Sequence, residues 1–223
     1  MHVRGSMTVV ACLVLGLVLI GCDDDGVTDG NGVRGSGNVI SETREVSGFN
    51  EIVLLGSGDV IVSVTGTESL VIEAEDNLMS LLTTDVRSGR LELGADMSFS
   101  ATKGITYTIT AATFDGVTIN GSGDVTASGI NANSFEATIN GSGDVEPAGT
   151  AGELTVGING SGSFDGAGLA ASTGAVDVSG SGSVVVNVSD ELDVSIGGSG
   201  DVEYLGDPTL TQSIGGSGSV SRG

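Results

Sequence analysis

The octapeptide TINGSGDV occupies Thr118–Val125 and again Thr138–Val145, letter for letter. Gly-Ser-Gly begins at Gly35, Gly56, Gly121, Gly141, Gly160, Gly180, Gly198 and Gly216, and the last six starts lie 20, 19, 20, 18 and 18 residues apart. A period near twenty marks a chain built from stacked structural units. Aligned on the first glycine, the copies form columns. Two places before it stand Ile119, Ile139, Ile158, Val178, Ile196 and Ile214, and four before it Val117, Ala137, Val156, Val176, Val194 and Gln212. Four after it come Val125, Val145, Phe164, Val184, Val202 and Val220. Apolar residues at every second position describe strands with one buried face.

One such unit buries four or five aliphatic side chains, worth roughly 1.5–3 kcal/mol each. Ordering about twenty residues costs ~1–2 kcal/mol per residue in backbone entropy alone. A single unit therefore cannot fold, but a stack can, since each strand gains ladder hydrogen bonds above and below. The expected fold class is all-β: a parallel, right-handed β-solenoid, or single-stranded β-helix, with coils of about 18–20 residues. A three-bladed or sandwich arrangement is the alternative. The 39 glycines, 3% aromatics and absence of Trp suit short strands and tight turns. In this reading Ile119 lies over Ile139 at ~4.8 Å. Gly121 and Gly123 supply positive φ and close backbone approach, and Asn120, Asn140 and Asn159 form an amide ladder.

Residues 35–223 are read as one solenoid domain, with an irregular part at 35–112 and regular Gly-Ser-Gly coils at 113–223. In the irregular part, Gly35-Ser-Gly and Gly56-Ser-Gly carry the corner. Leu70–Ala74, Leu81–Val86 and Arg90–Leu93 read as strands, Arg87–Arg90 as a turn, and Asp76–Leu82 as one helical turn. Gly104–Ala111 alternates. The last coil is expected to present a strand edge, which suggests end-to-end self-association.

Thr8–Ile20 is an apolar run too short to span a bilayer, as befits a signal peptide at 1–21. Leu19-Ile20-Gly21-Cys22 resembles the bacterial lipobox, which makes Cys22 the lipidated N-terminus of the mature chain. Residues 22–34 then form a flexible, acidic Gly/Asp-rich tether. Two or three acyl chains would hold the protein on the inner or outer membrane of a bacterial envelope, facing the periplasm or the cell surface. His2 and Cys12 leave with the signal, so the mature chain has no histidine and no free thiol for a Ser-His-Asp, Cys-His or zinc site. Lys103 is the only lysine.

A formal charge of −22 repels phosphate backbones and excludes nucleic acid as a partner. It attracts cations or basic partners, or simply keeps the surface solvated. Asp59, Asp124, Asp144 and Asp201 share the column three after the first glycine, where Ser163, Ser183 and Ser219 stand in other copies. Paired carboxylates on a β-helix would suit a carbohydrate-active enzyme. Aspartate after glycine also commonly binds turn N–H groups. Gly197-Gly-Ser-Gly-Asp-Val and Gly215-Gly-Ser-Gly-Ser-Val loosely match a Gly-Gly-x-Gly-x-Asp calcium repeat, so a calcium-binding envelope module is a further alternative.

Val46-Ser-Gly-Phe-Asn-Glu-Ile, Gly56-Ser-Gly-Asp-Val, Val71-Ile-Glu-Ala-Glu-Asp-Asn-Leu and Ile119-Asn-Gly-Ser-Gly-Asp-Val follow one another in an order that resembles the auto-transporter adhesin head GIN domain family. The resemblance runs from about Gly35 to Gly223. It implies an exported, lipid-anchored envelope protein, a non-catalytic adhesin or scaffold with a glycan or protein ligand. It implies no catalytic, cofactor or metal residues, which leaves Cys22 as the single assigned site.

Overall fold

The computed structural model describes residues 28–29 and 32–223; the signal peptide and Cys22 lie outside the described residues. β1 (Thr28–Asp29) and β2 (Gly32–Arg34) pair antiparallel, at the end of the stretch expected as tether. β3 (Val39–Arg44), β4 (Glu51–Gly56), β5 (Asp59–Val64), β6 (Ser69–Glu75), the single-turn α1 (Asp76–Met79) and β7 (Leu82–Arg87) follow. Next come β8 (Arg90–Ala95), β9 (Phe99–Ser100), β10 (Thr106–Ala111) and β11 (Gly116–Gly121). The regular region holds β12 (Asp124–Ile139), β13 (Val145–Ile158), β14 (Ser163–Val178), β15 (Ser183–Ile196), β16 (Asp201–Leu205), β17 (Thr209–Ile214) and β18 (Ser219–Arg222). The fold is all-β around one large, mostly parallel sheet.

β12, β13, β14 and β15 each run from one Gly-Ser-Gly corner to the next and pair in parallel, register on register. In place of the short strands that the composition suits, one long strand bends within each unit. Its register shifts at Ala127/Ile130, Val145/Gly149 and Gly166/Ala170 mark the bends. The apolar columns become continuous files. Leu93, Leu54, Ile119, Ile139, Ile158, Val178 and Ile196 are mutual register partners in that order, and none is more than 1% exposed. Val60, Val125, Val145, Phe164, Val184 and Val202 make a second file, buried as deeply. β17 and β18 pair only with β15 and β16, and Ile214 is 41% exposed there.

The corners carry the ladder through the turn. The N–H groups of Ser122, Ser142, Ser161, Ser181, Ser199 and Ser217 donate to the first-glycine carbonyl of the corner beneath at 2.8–3.0 Å. The reason for glycine differs from the expectation. Gly123 and the glycines of the four corners from Gly141 to Gly200 do not have positive φ, and Gly121, at 158°, sits at the margin of extended backbone. What they need is space. A Cβ on Gly141, Gly160, Gly180 or Gly198 would fall on the carbonyl oxygen of the glycine below. Only the corner at Gly56 (φ 122°) and Gly58 (φ 134°) uses the left-handed freedom of glycine.

The irregular part is threaded out of sequence order. β11 and β12 lie on β4 and β5, so corner 121–123 sits over corner 56–58, which starts 65 positions earlier in the chain. β8 and β10 lie on the far side of β4 and β5. β6 and β7 then close that end antiparallel, β6 on β10 and β7 on β8, with β3 antiparallel to β6. Antiparallel strands end the parallel stack without leaving its core open. Arg44 ties β3 to this cap, donating to the carbonyls of Leu82 (2.6 Å) and Met79 (2.9 Å).

Gly35-Ser-Gly, expected to be a corner, is not one. β2 before it runs parallel to β9, and β3 after it runs antiparallel to β6. Glu75, Asp76 and Asn77 grip it instead. The Glu75 carboxylate, the buried charged side chain of the described core, accepts from the N–H groups of Gly37 (2.6 Å) and Thr102 (2.8 Å) and from the Thr102 hydroxyl. The Lys103 N–H adds a further bond. Asp76 accepts from Ser36 Oγ and Asn38 Nδ2, and Asn77 bridges the Ser36 N–H and the Arg34 carbonyl.

Burial alone would raise the pKa of Glu75, but the Thr102, Gly37 and Lys103 hydrogen bonds outweigh it and hold the group below its ordinary 4.5. A depressed folded pKa contributes stability that is fully present above the unfolded value. That stability is lost as pH falls through the lower folded value. Glu75→Gln should therefore cost roughly 1–3 kcal/mol at neutral pH, because one donor would face an amide NH2. The difference from the wild type should shrink in urea titrations as pH falls below the ordinary 4.5 and through the lower folded value; a gap that stays constant throughout acid titration would show that the charge is not what matters.

Candidate functional site

The exposed corner columns are the place where polar chemistry repeats. Asn140 Nδ2 donates to Asn120 Oδ1 at 2.9 Å, and Asn159 Nδ2 to Asn140 Oδ1 at 3.0 Å, so the expected amide ladder exists. Beside it runs the aspartate column. Asp124 is the register partner of Asp59, Ser163 of Ser183, Ser183 of Asp201, and Asp201 of Ser219.

Each of these carboxylates, Asp59 excepted, caps the next layer rather than its own turn. Asp124 Oδ1 accepts the N–H of Asp144 at 3.0 Å, and Asp144 Oδ1 accepts that of Ser163 at 2.8 Å. Asp201 Oδ1 accepts the N–H of Ser219 at 3.0 Å and its hydroxyl at 2.6 Å. The backbone at this position would otherwise leave a donor unsatisfied between layers, and the carboxylate supplies the acceptor. Asp or Ser at the next position offers the same N–H, so either residue can follow an Asp in the column.

Asp124, Thr126, Asp144, Glu146, Ser163 and Asp165 line an open groove of about 360 Å³, floored by Val125 and Val145. A second outer groove of about 450 Å³ runs along Thr155, Ala175, Asp177, Asp193, Ser195 and Thr211. The first mixes hydroxyls and carboxylates with apolar surface, and the surface of the second is mostly apolar, with Val156, Ala175, Val176 and Val194 among its lining residues. An acid–base pair works by placing two carboxyl groups in contrasting environments. Asp124 and Asp144 share one environment, each exposed and each bound to a backbone N–H. Among the described residues no three Asp, Glu, His or Cys side chains come together as a metal cage. Asp201, in the calcium-like Gly197-Gly-Ser-Gly-Asp-Val, is engaged by Ser219. Asp144→Asn, which keeps the acceptor, should stay within about 1 kcal/mol of the wild type, while Asp144→Leu should lose about 1–3 kcal/mol in thermal unfolding. Equal losses in the two would remove the capping role.

Glu75 was not among the candidate residues on sequence grounds. It follows the alternation of Leu70, Ile72 and Ala74 by one position, and only the run Glu-Asp-Asn after a strand hinted at a polar clamp.

A large, mostly parallel sheet whose polar outer columns repeat from layer to layer defines an all-β protein. The chain belongs to the family described as "Putative auto-transporter adhesin, head GIN domain", whose model matches residues 48–208. Among solved structures it is similar to a putative adhesin of Bacteroides fragilis, at 24% identity and a TM-score of 0.70, covering 86% of this chain and 100% of that one. It is also similar to a putative lipid binding protein of Parabacteroides distasonis (21% identity, TM-score 0.58, 86% and 99% covered). A third is a putative adhesin of Parabacteroides merdae (18% identity, TM-score 0.55, 86% and 99% covered). These likenesses concern the fold. No curated protein matches the chain.

Proposed function

We propose that this chain is a non-catalytic, lipid-anchored scaffold of the bacterial envelope that presents its repeated outer columns to a glycan or protein ligand. Residues 1–21 are its signal peptide, Cys22 carries the lipid, and 35–223 form a single right-handed β-solenoid domain. The capping of each layer's backbone by Asp124, Asp144 and Asp201 carries the non-catalytic reading, since the carboxylates an enzyme would need are committed to the stack. The in-register files from Leu54 to Ile196 support the solenoid. Leu19-Ile20-Gly21-Cys22 supports the anchor, and among the described residues no helix is long and apolar enough to cross a membrane. Membership of the adhesin-like family supports an envelope location.

Two measurements test it. Cys22→Ala should move the protein from the membrane fraction to the soluble fraction and abolish the acyl mass on the N-terminal peptide. Deletion of the gene should reduce attachment or biofilm formation, and the purified protein should retain ligands on a glycan or surface-protein array. Unchanged attachment together with a blank array would remove the adhesin reading while leaving the scaffold.

A further inference from the structure

Every corner from Gly121 onward rests on another Gly-Ser-Gly, but the corner at Gly56-Ser57-Gly58 does not. The layer on its far side, β8 and β10, is joined by the ten-residue loop Asp96–Ile105, which carries β9 in place of a Gly-Ser-Gly corner. A groove of about 520 Å³ opens beside Phe99, lined by Leu55, Ser57, Leu82, Met97 and Tyr107. Another of about 440 Å³ lies against Phe99 and Ser57 on the side of Ser100 and Ile105. Met97 is 54% exposed and Leu55 47%. Leu55 occupies the column filled by Asn120, Asn140 and Asn159 above it, so the polar ladder turns apolar at this layer alone.

The charge also changes here. Arg34 and Lys103 are exposed and have no carboxylate within ion-pair distance among the described residues. They balance Asp59 and Asp96, the carboxylates among the lining residues of the two grooves, on a chain of charge −22. β2 fixes its place, with Val33 paired to Phe99 and Arg34 to Ser100. Five residues separate Cys22 from Thr28, a contour of at most roughly 20 Å.

We propose that the Asp96–Ile105 loop with Leu55 is a membrane-contact surface, resting on the bilayer that holds the Cys22 lipid. This rests on the lipid-anchor reading above. Met97, Leu55 and the edge of Phe99 enter the headgroup–acyl boundary, where interfacial side chains sit ~5–10 Å deep. Arg34 and Lys103 meet lipid phosphates. The acidic remainder of the molecule is repelled from anionic headgroups, so the stack stands away from the membrane and touches it only at this end.

The test uses the full-length acylated lipoprotein in phosphatidylethanolamine–phosphatidylcholine vesicles. With Cys22 blocked by its thioether, Met97→Cys or Leu55→Cys gives a single thiol for a polarity-sensitive fluorophore, and Ser217→Cys serves as the control at the far end. Blue-shifted emission and quenching by nitroxide lipids at 97 and 55, absent at 217, are the expected result. Introducing Met97→Glu into the labelled Leu55→Cys protein should reverse the shift while flotation persists. Vesicle-bound protein whose labels at 97 and 55 are as water-exposed as that at 217 overturns the contact surface and leaves the anchor standing. Protein that carries no acyl mass and stays off vesicles overturns both.

Discussion

Alanine at Gly160 should destabilise the protein by about 3 kcal/mol, whereas alanine at Gly197 should leave it unchanged or raise its stability by up to ~1 kcal/mol. Both are glycines of the corner repeat, and neither has a positive φ. They differ in what stands beside them. A Cβ on Gly160 would strike the Gly141 carbonyl oxygen, backbone against backbone, at the point where Ser161 N–H donates to that same carbonyl at 2.9 Å. No rotamer relieves such a clash, so two layers must separate and the ladder bond is lost with them. A Cβ on Gly197 meets nothing within 4 Å. Urea midpoints of the two variants measure the difference. A common loss would mean that the corners need flexible backbone rather than room.

Ile158→Ala is the second large expected effect, a loss of about 2–5 kcal/mol. Ile158 is fully buried, between Ile139 below and Val178 above. Its Cγ2 also fills the space against which the second glycine of the next corner packs, since a Cβ on Gly182 would come within 2.8 Å of it. Truncation therefore opens a void that touches three layers. Hydrogen exchange should show lost protection centred on β13 and β14 and reaching neighbouring strands. Ile214→Ala, in the same column but 41% exposed, should cost less than about 1 kcal/mol. Equal costs at 158 and 214 would dissolve the idea of a shared inner file.

How far the sequence carried this picture follows from the range of each interaction. The files of Ile119, Ile139, Ile158 and Ile196 were legible because burial parity repeats within each unit and the units are adjacent. The amide ladder of Asn120, Asn140 and Asn159 was legible for the same reason. The threading of the irregular part was not. Nothing in the alternation of Glu51–Gly56 tells that its neighbours are β11 on one side and β8 on the other, since any strand of that parity would fit. Gly35-Ser-Gly matched the motif but not its setting, because a corner is made by the parallel strands around it, and here β3 turns antiparallel. The aspartates were assigned to turn N–H groups, which was right in chemistry and wrong in address. Their donors lie one layer on, a relation that appears only when the layers are stacked.

The layer-to-layer register has a further consequence for size. Thr118-Ile119 sits on Thr138-Ile139, and Thr138-Ile139 sits on Gly157-Ile158, with the same corner hydrogen bond and the same Gly-Ser-Gly at each joint. Excising or duplicating one full period recreates the joint it disturbs, so the height of the molecule is adjustable in steps of ~4.8 Å without redesign of any contact. Such a chain is a graduated spacer, and its reach can drift by whole graduations while its two ends stay the same.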